Sequence, residues 1–287
     1  MFFKKVNNYL SLVKFSHTVF AMPFALIGFT LGVTRPENHF DLFLLMKVIL
    51  CMVFARTAAM AFNRYIDRHI DAKNSRTAIR EIPNGVIKPA SALLLVALSS
   101  IALIGTTYFI NPICFYLSPI ALIVVLGYSL TKRFTWLCHL ILGIGLALAP
   151  IGAYLAVTGK FDLLPLFFSF TVLSWVSGFD IIYALQDEEF DRNSKLNSMP
   201  VAFGKKGALN ISILLHFASV CFVFIAGFYL PFGNIYWLGF IIFTGLITYQ
   251  HLIIKPNDLS RVNLAFFTTN GIASIIFAVF VIADLVL

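Results

Sequence analysis

Apolar runs of about twenty residues recur along nearly the whole chain, and that repetition restricts the fold more than any single residue does. A helix needs about 20 mostly apolar residues to cross the hydrocarbon layer of a bilayer. Nine segments qualify: 15–33, 42–62, 90–110, 112–130, 136–157, 163–185, 208–230, 235–254 and 262–287. Backbone N–H and C=O groups find no water in lipid, so each run is expected to be a helix. Short turn sequences such as Asn111-Pro112 and Pro231-Phe232-Gly233-Asn234 make neighbouring helices antiparallel. The expectation is an all-α, polytopic membrane protein: nine transmembrane helices in a bundle, one domain over residues 1–287. Composition agrees, with 60% hydrophobic and 12% charged residues against about 25% charged in a soluble domain. The first run lacks a small-residue cleavage site and a second run follows at once, so it reads as a retained helix.

The scarce charge is basic in excess, with 21 Lys and Arg against 13 Asp and Glu. In a soluble protein that balance would raise nucleic-acid binding. Here the apolar runs separate the cations, and their placement is topological. Seventeen of the 21 fall at the N-terminus or in connections on the same side as the long loops 63–88 and 186–206. The opposite connections hold only Arg35 and Lys160. Positive residues mark the cytoplasmic side, so the N-terminus and both long loops are expected there. The four cysteines lie in apolar context without a C-x-x-C pair, which leaves no zinc or disulfide framework.

Most of the acids gather around those two loops. Asn63, Asp67 and Asp71 are spaced by four. Asp180, Tyr183, Asp187 and Asp191 fall at i, i+3, i+7 and i+11. On continuing helices each set is one stripe. Carboxylates four apart repel unless a cation sits between them. Oxygen ligands without Cys or His suit Mg²⁺, which takes one or two carboxylates, keeps waters and binds substrate phosphates. Asp180 precedes its loop, and a carboxylate within a span is a functional candidate by default. Arg76, Arg80, Lys132, Arg133, Arg192 and Lys195 follow the stripes or end a span; Arg offers bidentate oxygen contacts and Lys a point charge. Arg64, Lys73, Lys88, Lys205 and Lys206 read as topology residues. No G-x-x-x-x-G-K-[ST] loop is present, so a P-loop nucleotidase is unsupported.

These motifs resemble the UbiA superfamily of intramembrane aromatic prenyltransferases. Asn63, Asp67 and Asp71 resemble its N-x-x-x-D-x-x-x-D; Asp180, Tyr183, Ala184, Asp187 and Asp191 resemble its D-x-x-Y-A-x-x-D-x-x-x-D; Tyr128 with Lys132-Arg133 resembles its Y-x-x-x-K-R. Arg76-Thr77 through Gly85 resembles its R-T-x-x-R-P-L-x-x-G, with Glu81-Ile82 in place of Pro-Leu. The resemblance implies a helical bundle around a central cavity and Mg²⁺-dependent transfer of a polyprenyl group from polyprenyl diphosphate to an aromatic ring. Asp67, Asp71, Asp187 and Asp191, with Asn63, would hold the metal on the diphosphate. Arg76, Arg80, Lys132 and Lys195 would share its charge. Tyr128, Asp180, Tyr183 and Lys14 would serve the acceptor or the developing cation. The prenyl tail would lie between helices, open to lipid.

The closest pattern is the branch acting on 4-hydroxybenzoate in ubiquinone synthesis, carried also by residues 15–25; a dihydroxynaphthoate of a menaquinone route is the alternative acceptor. Lys14 could pair with the acceptor carboxylate, and His17 reads as a structural hydrogen-bonder. At 195 and 197 this chain has Lys and Asn where the branch usually has Gly and His, which puts the role of Lys195 in doubt. A more distant alternative from another class is an ion-coupled transporter, whose binding sites lie near the midplane; Arg56 and Asp180 are charges within spans that could sit that deep. A bacterial inner membrane is expected, since no Arg- and Ser-rich leader is visible.

Overall fold

The computed structural model describes residues 2–13 and 20–287, with side chains from Asn7 onward. Lys14 and His17, both named from the sequence, lie outside the described residues. In chain order the helices are α1 (Phe2–Leu12), α2 (Met22–Val33), α3 (Leu42–Ile66), α4 (Arg68–Asp71), α5 (Pro89–Tyr108), α6 (Pro112–Thr131) and α7 (Cys138–Thr158). Then follow α8 (Leu163–Ala184), α9 (Glu188–Asn193), α10 (Met199–Tyr229), α11 (Asn234–Ile253) and α12 (Asn270–Val286). A 3₁₀ turn, Leu185–Asp187, joins α8 to α9, and a π-helical turn, Leu264–Thr269, leads into α12.

Eight helical stretches among the described residues are long and apolar enough to cross a membrane. Of the ninth expected span, the described residues include α2, 12 residues long, and a helix of that length rises about 18 Å. The protein is an integral membrane protein of all-α architecture; the described residues show eight long helices, not the expected nine. Another boundary also differs. The helix expected from 208 begins at Met199, so Lys205 and Lys206 lie on α10 rather than in a loop. Gly204 interrupts it at φ 69°, a conformation that glycine adopts without a Cβ clash.

Polar residues beside the runs begin several helices. Asp41 Oδ1 accepts from Phe43 N at 2.8 Å, Asn111 Oδ1 from Cys114 N at 2.9 Å and Asp162 Oδ1 from Leu164 N at 3.1 Å. These are N-caps that satisfy donors left open in the first turn. The principal contacts pair α8 with α7 and α10, α3 with α5, α2 with α7 and α11 with α12. Trp175, Phe24, Phe168, Phe243 and Phe277 form the aromatic centre of the largest buried cluster. In lipid, helices associate through close packing of small residues. Gly28 illustrates this: a Cβ there would lie 2.0 Å from the Pro150 carbonyl oxygen, so α2 and α7 touch through backbone. This packing leaves space where α3, α6, α7 and α8 diverge toward the charged ends.

Candidate active site

A cavity of about 540 Å³ opens there, lined by both acidic stripes and by cations from α3 and from two connections. The stripes survive although neither helix is continuous. α3 ends at Ile66 and Asp67 adopts φ −90°, ψ 0°, yet Asp67 N still bonds Asn63 O at 3.0 Å and Asp71 N bonds Asp67 O at 2.8 Å. The 3₁₀ turn breaks α8 in the same way before Asp187.

In the first stripe, Asn63 Nδ2 donates to Asp67 Oδ2 at 3.0 Å. Arg133 Nη2 donates to Asp67 Oδ1 at 2.7 Å and to Ile66 O at 3.1 Å, tying the end of α6 to the end of α3. Burial raises the Asp67 carboxyl above the ordinary aspartate range, against the pull of Arg133. Asp71 is 6% exposed. Its Oδ1 accepts from Arg80 Nη1 at 2.7 Å, while its Oδ2 is buried without a hydrogen-bond partner.

In the second stripe, Arg76 grips Asp187 with two nitrogens, Nε at 3.0 Å from Oδ1 and Nη2 on Oδ2. Asn74 Nδ2 adds a third donor at 3.1 Å. The same guanidinium donates through Nη1 to Tyr183 Oη at 2.7 Å and lies 5.0 Å from that ring's centroid. Burial opposes the Arg76 charge, but Asp187 and Tyr183 more than offset it, so its pKa rises. Asp191 is fully buried, with Lys132 Nζ 2.7 Å from Oδ1.

Arg76, Arg80, Lys132, Tyr128 and Asp180, all named from the sequence, line one space with the Asp residues. Lys195 does not: it is exposed, outside the cavity wall. Arg64, read as a topology residue, is instead 5% exposed and faces the cavity. One further feature went unread. His139 Nδ1 lies 2.6 Å from Asp180 Oδ2, and Met199 N–H donates to its Nε2 at 3.3 Å, which places the proton on Nδ1. The signal was Asp180 itself, since a carboxylate within a span needs a partner, but nothing in the spacing pointed to a residue 41 positions earlier. Arg56 stood out as a charge within a span. It lies at the throat between this cavity and a second, apolar one of about 380 Å³. Among the described residues it makes no ion pair, and its Nε is buried without a partner.

No three of His, Cys, Asp and Glu among the described residues are grouped to hold a metal by themselves. That donor set suits Mg²⁺, which is bound by one or two carboxylates together with substrate phosphates rather than by an all-protein cage. The unpartnered Asp71 Oδ2 is the oxygen left open for it.

The sequence profile of the UbiA prenyltransferase family matches residues 21–272. Relatives named 4-hydroxybenzoate octaprenyltransferase include one from Shewanella sediminis, 30% identical over 80% of this chain and 80% of its own length. Another, from Nitrosospira multiformis, is 30% identical over 85% of this chain and 83% of its own. The unliganded structure of a UbiA homologue from Aeropyrum pernix is similar with a TM-score of 0.84 at 32% identity, covering 93% of this chain and 98% of that one. A UbiA homologue from Archaeoglobus fulgidus bound to GPP and Mg²⁺ shares the fold at TM-score 0.73 and 21% identity, over 98% and 100% of the two chains. The chain belongs to the UbiA prenyltransferase family.

Proposed function

We propose that the protein transfers a polyprenyl group from polyprenyl diphosphate to the ring of a phenolic acid, with 4-hydroxybenzoate as acceptor. The observation that carries this reading is a pair of adjoining cavities: an acid-and-cation mouth, then an arginine with no ion pair among the described residues, and an apolar chamber beyond. A diphosphate, a carboxylate and a hydrocarbon tail match those three parts in turn. Family membership displaces the transporter alternative. The relatives' names support the acceptor, and the Archaeoglobus complex supports a divalent metal. Both halves of the chain build the mouth cavity, which supports a single domain over 1–287.

Asp67, Asp71, Asp187 and Asp191, with Asn63, are the groups that would hold Mg²⁺. When bound, the ion supplies Lewis acidity to the leaving diphosphate. Arg76, Arg80 and Lys132 bind the remaining diphosphate oxygens and take up their charge as the C1–O bond breaks and its electron pair leaves with the diphosphate. Arg56 orients the acceptor through its carboxylate, a charge-assisted contact of about 1.5–3 kcal/mol. The ring carbon attacks C1 and then gives up its proton to the departing diphosphate, restoring aromaticity. Tyr183, Tyr128 and the neighbouring phenylalanines exclude water, and an aromatic face stabilises a cation by about 0.5–2 kcal/mol. Asp180, fixed by His139, faces the acceptor. The tail fills the apolar chamber.

The test is purified protein with Mg²⁺, a labelled polyprenyl diphosphate and each aromatic acid in turn. Transfer to 4-hydroxybenzoate is expected, and no transfer to any phenolic acid by folded protein would sink the reading. A dihydroxynaphthoate carries the same carboxylate, so the ratio of the two kcat/KM values assigns the acceptor. Arg56→Ala should raise the acceptor KM roughly 10- to 100-fold, the equivalent of that one contact, and leave the donor KM alone. The N-terminus and both long loops face the cytoplasm of a bacterial inner membrane in this reading. A single cysteine in loop 63–88 that an impermeant reagent labels from outside would reverse it.

A further inference from the structure

The π-helical turn Leu264–Thr269 departs from α-geometry and faces the cavity through its side chains, Phe266 and Phe267. A π-turn is uncommon and leaves carbonyls displaced from their α-helical donors. Here the backbone N–H of Asn270 goes to the Phe267 carbonyl, one residue further along than α-geometry dictates. The Asn270 side chain supplies what is lost: Nδ2 donates to Phe266 O at 3.1 Å and to Ala265 O at 3.0 Å. Its Oδ1 accepts from Trp175 Nε1 at 2.8 Å and from Gln250 Nε2 at 2.7 Å. An indole N–H only donates, so the Asn270 amide has one possible orientation, with carbonyls on one side and donors on the other. Asn270, Trp175 and Gln250 are all fully buried. One side chain thus ties α8, α11 and the π-turn together.

The turn so held sets an aromatic surface. Phe266 stacks on Tyr183 with centroids 4.2 Å apart, and meets Phe179 edge-on at 5.2 Å and Phe20 at 5.7 Å. Tyr183 is the ring whose hydroxyl Arg76 holds beside Asp187. The stack therefore adjoins the diphosphate end of the cavity, where the allylic C1 would lie.

We propose that Asn270 is a positioning residue for prenyl transfer: it holds the π-turn so that Phe266 backs Tyr183, and this stack is the surface against which the allylic cation develops. The inference rests on the prenyl-transfer reading above and extends it to a residue far from any charge. It also accounts for a buried polar network that the chemistry at the cavity mouth does not use.

The experiment compares two uncleavable mimics of the donor with equal chain length, on the full-length protein with Mg²⁺. One, the neutral mimic, is an allylic thiolodiphosphate with an uncharged hydrocarbon end; the other carries an ammonium where the cation would form. A surface that stabilises the cation binds the ammonium mimic more tightly. Asn270→Leu should erode that preference about fivefold, within the range of a cation–π contact, while affinity for the neutral mimic stays within about twofold. Phe266→Leu should do the same, and the double variant should be no worse than Phe266→Leu, because both act through one ring. Gln250→Leu removes one donor together with an unpartnered buried carbonyl, so it probes the network should Asn270→Leu fail to fold; a loss of about twofold is expected. An unchanged preference in folded Asn270→Leu, or losses that multiply in the double variant, overturns the assignment. An unchanged preference in Gln250→Leu does so where Asn270→Leu does not fold. Wild-type protein that prefers the ammonium mimic yet prenylates no phenolic acid would overturn the acceptor and leave the positioning role standing.

Discussion

The two acidic stripes carry the same pattern and stabilise it with different partners. In each, the acid before the last meets an asparagine and an arginine, Asn63 with Arg133 at Asp67 and Asn74 with Arg76 at Asp187. In each, the last acid is buried against a single cation, Arg80 at Asp71 and Lys132 at Asp191. The arginines differ. Arg133 shares one nitrogen, Nη2, between Asp67 and a carbonyl of α3 and gives Nη1 to a carbonyl of α6, so it works as a staple between helices. Arg76 gives Asp187 two nitrogens and gives Tyr183 the third. The first stripe is thus tied to the scaffold and the second to the aromatic wall.

The largest effects should come from breaking either stripe outright. Asp67→Ala and Asp187→Ala should each lower kcat by about a thousandfold or more, the scale of losing a preorganised electrostatic contact at the reacting centre. Circular dichroism should stay that of folded protein. Measurable turnover near wild type in either would remove the metal role. The contrast is sharpened by Arg76→Lys. A lysine keeps the charge but cannot hold two carboxylate oxygens and a phenol at once. It should cost about 10- to 100-fold in kcat/KM, the loss of one or two charge-assisted bonds. Arg133→Lys should show up more in the melting temperature than in kcat, and equal kinetic losses in the two variants would erase the distinction.

Why the stripes were legible and their partners were not follows from range. Spacing by four survives a helix break because the i to i−4 bonds at Asp67 and Asp71 persist, so a local rule was enough. The eight long spans followed from run length alone. The partners come from sequence-distant elements: Arg76 reaches Asp187 across 111 positions and Asn270 reaches Trp175 across 95. Tertiary packing brings them together, and no local period encodes it. Arg56 was visible as a charge in a span, but only the cavity gave it a surface to face. The early start of α10 was hidden because Gly204 to Gly207 reads as loop composition, while Ser198 and Pro200 begin a helix there.

A smaller effect is expected with pH in the metal-free protein. The folded-state pKa of Asp67 lies above its unfolded value, so between the two the folded protein holds the extra proton. Its contribution to stability is therefore fully present below the unfolded pKa and is lost as pH rises through the folded one. In chelator, thermal stability should fall across that acidic window, and Asp67→Asn should flatten the slope. Mg²⁺ should restore stability toward neutral pH, where the carboxylate is free to bind it. A slope unchanged in Asp67→Asn would place the proton elsewhere.

The smallest change is expected at Lys195, which follows the second stripe as Arg76 follows the first. Its backbone lies at φ 56°, in the left-handed region. Lys195 N bonds Arg192 O at 3.2 Å and Leu196 N bonds Asp191 O at 2.9 Å, the paired bonds of a Schellman motif ending α9. Position 195 is the site in that motif where glycine is favoured, which gives a backbone reason for the glycine usual at this point in sequences of this branch. A lysine there bears a steric cost of about 1 kcal/mol or more. Lys195→Gly should therefore raise the unfolding free energy by up to about 1 kcal/mol and leave kcat and the donor KM within about twofold. Lys195→Ala keeps the strain and should change neither by much. If both variants instead raise the donor KM tenfold, the ammonium reaches the diphosphate after all, and the second stripe has a third cation where the first has none.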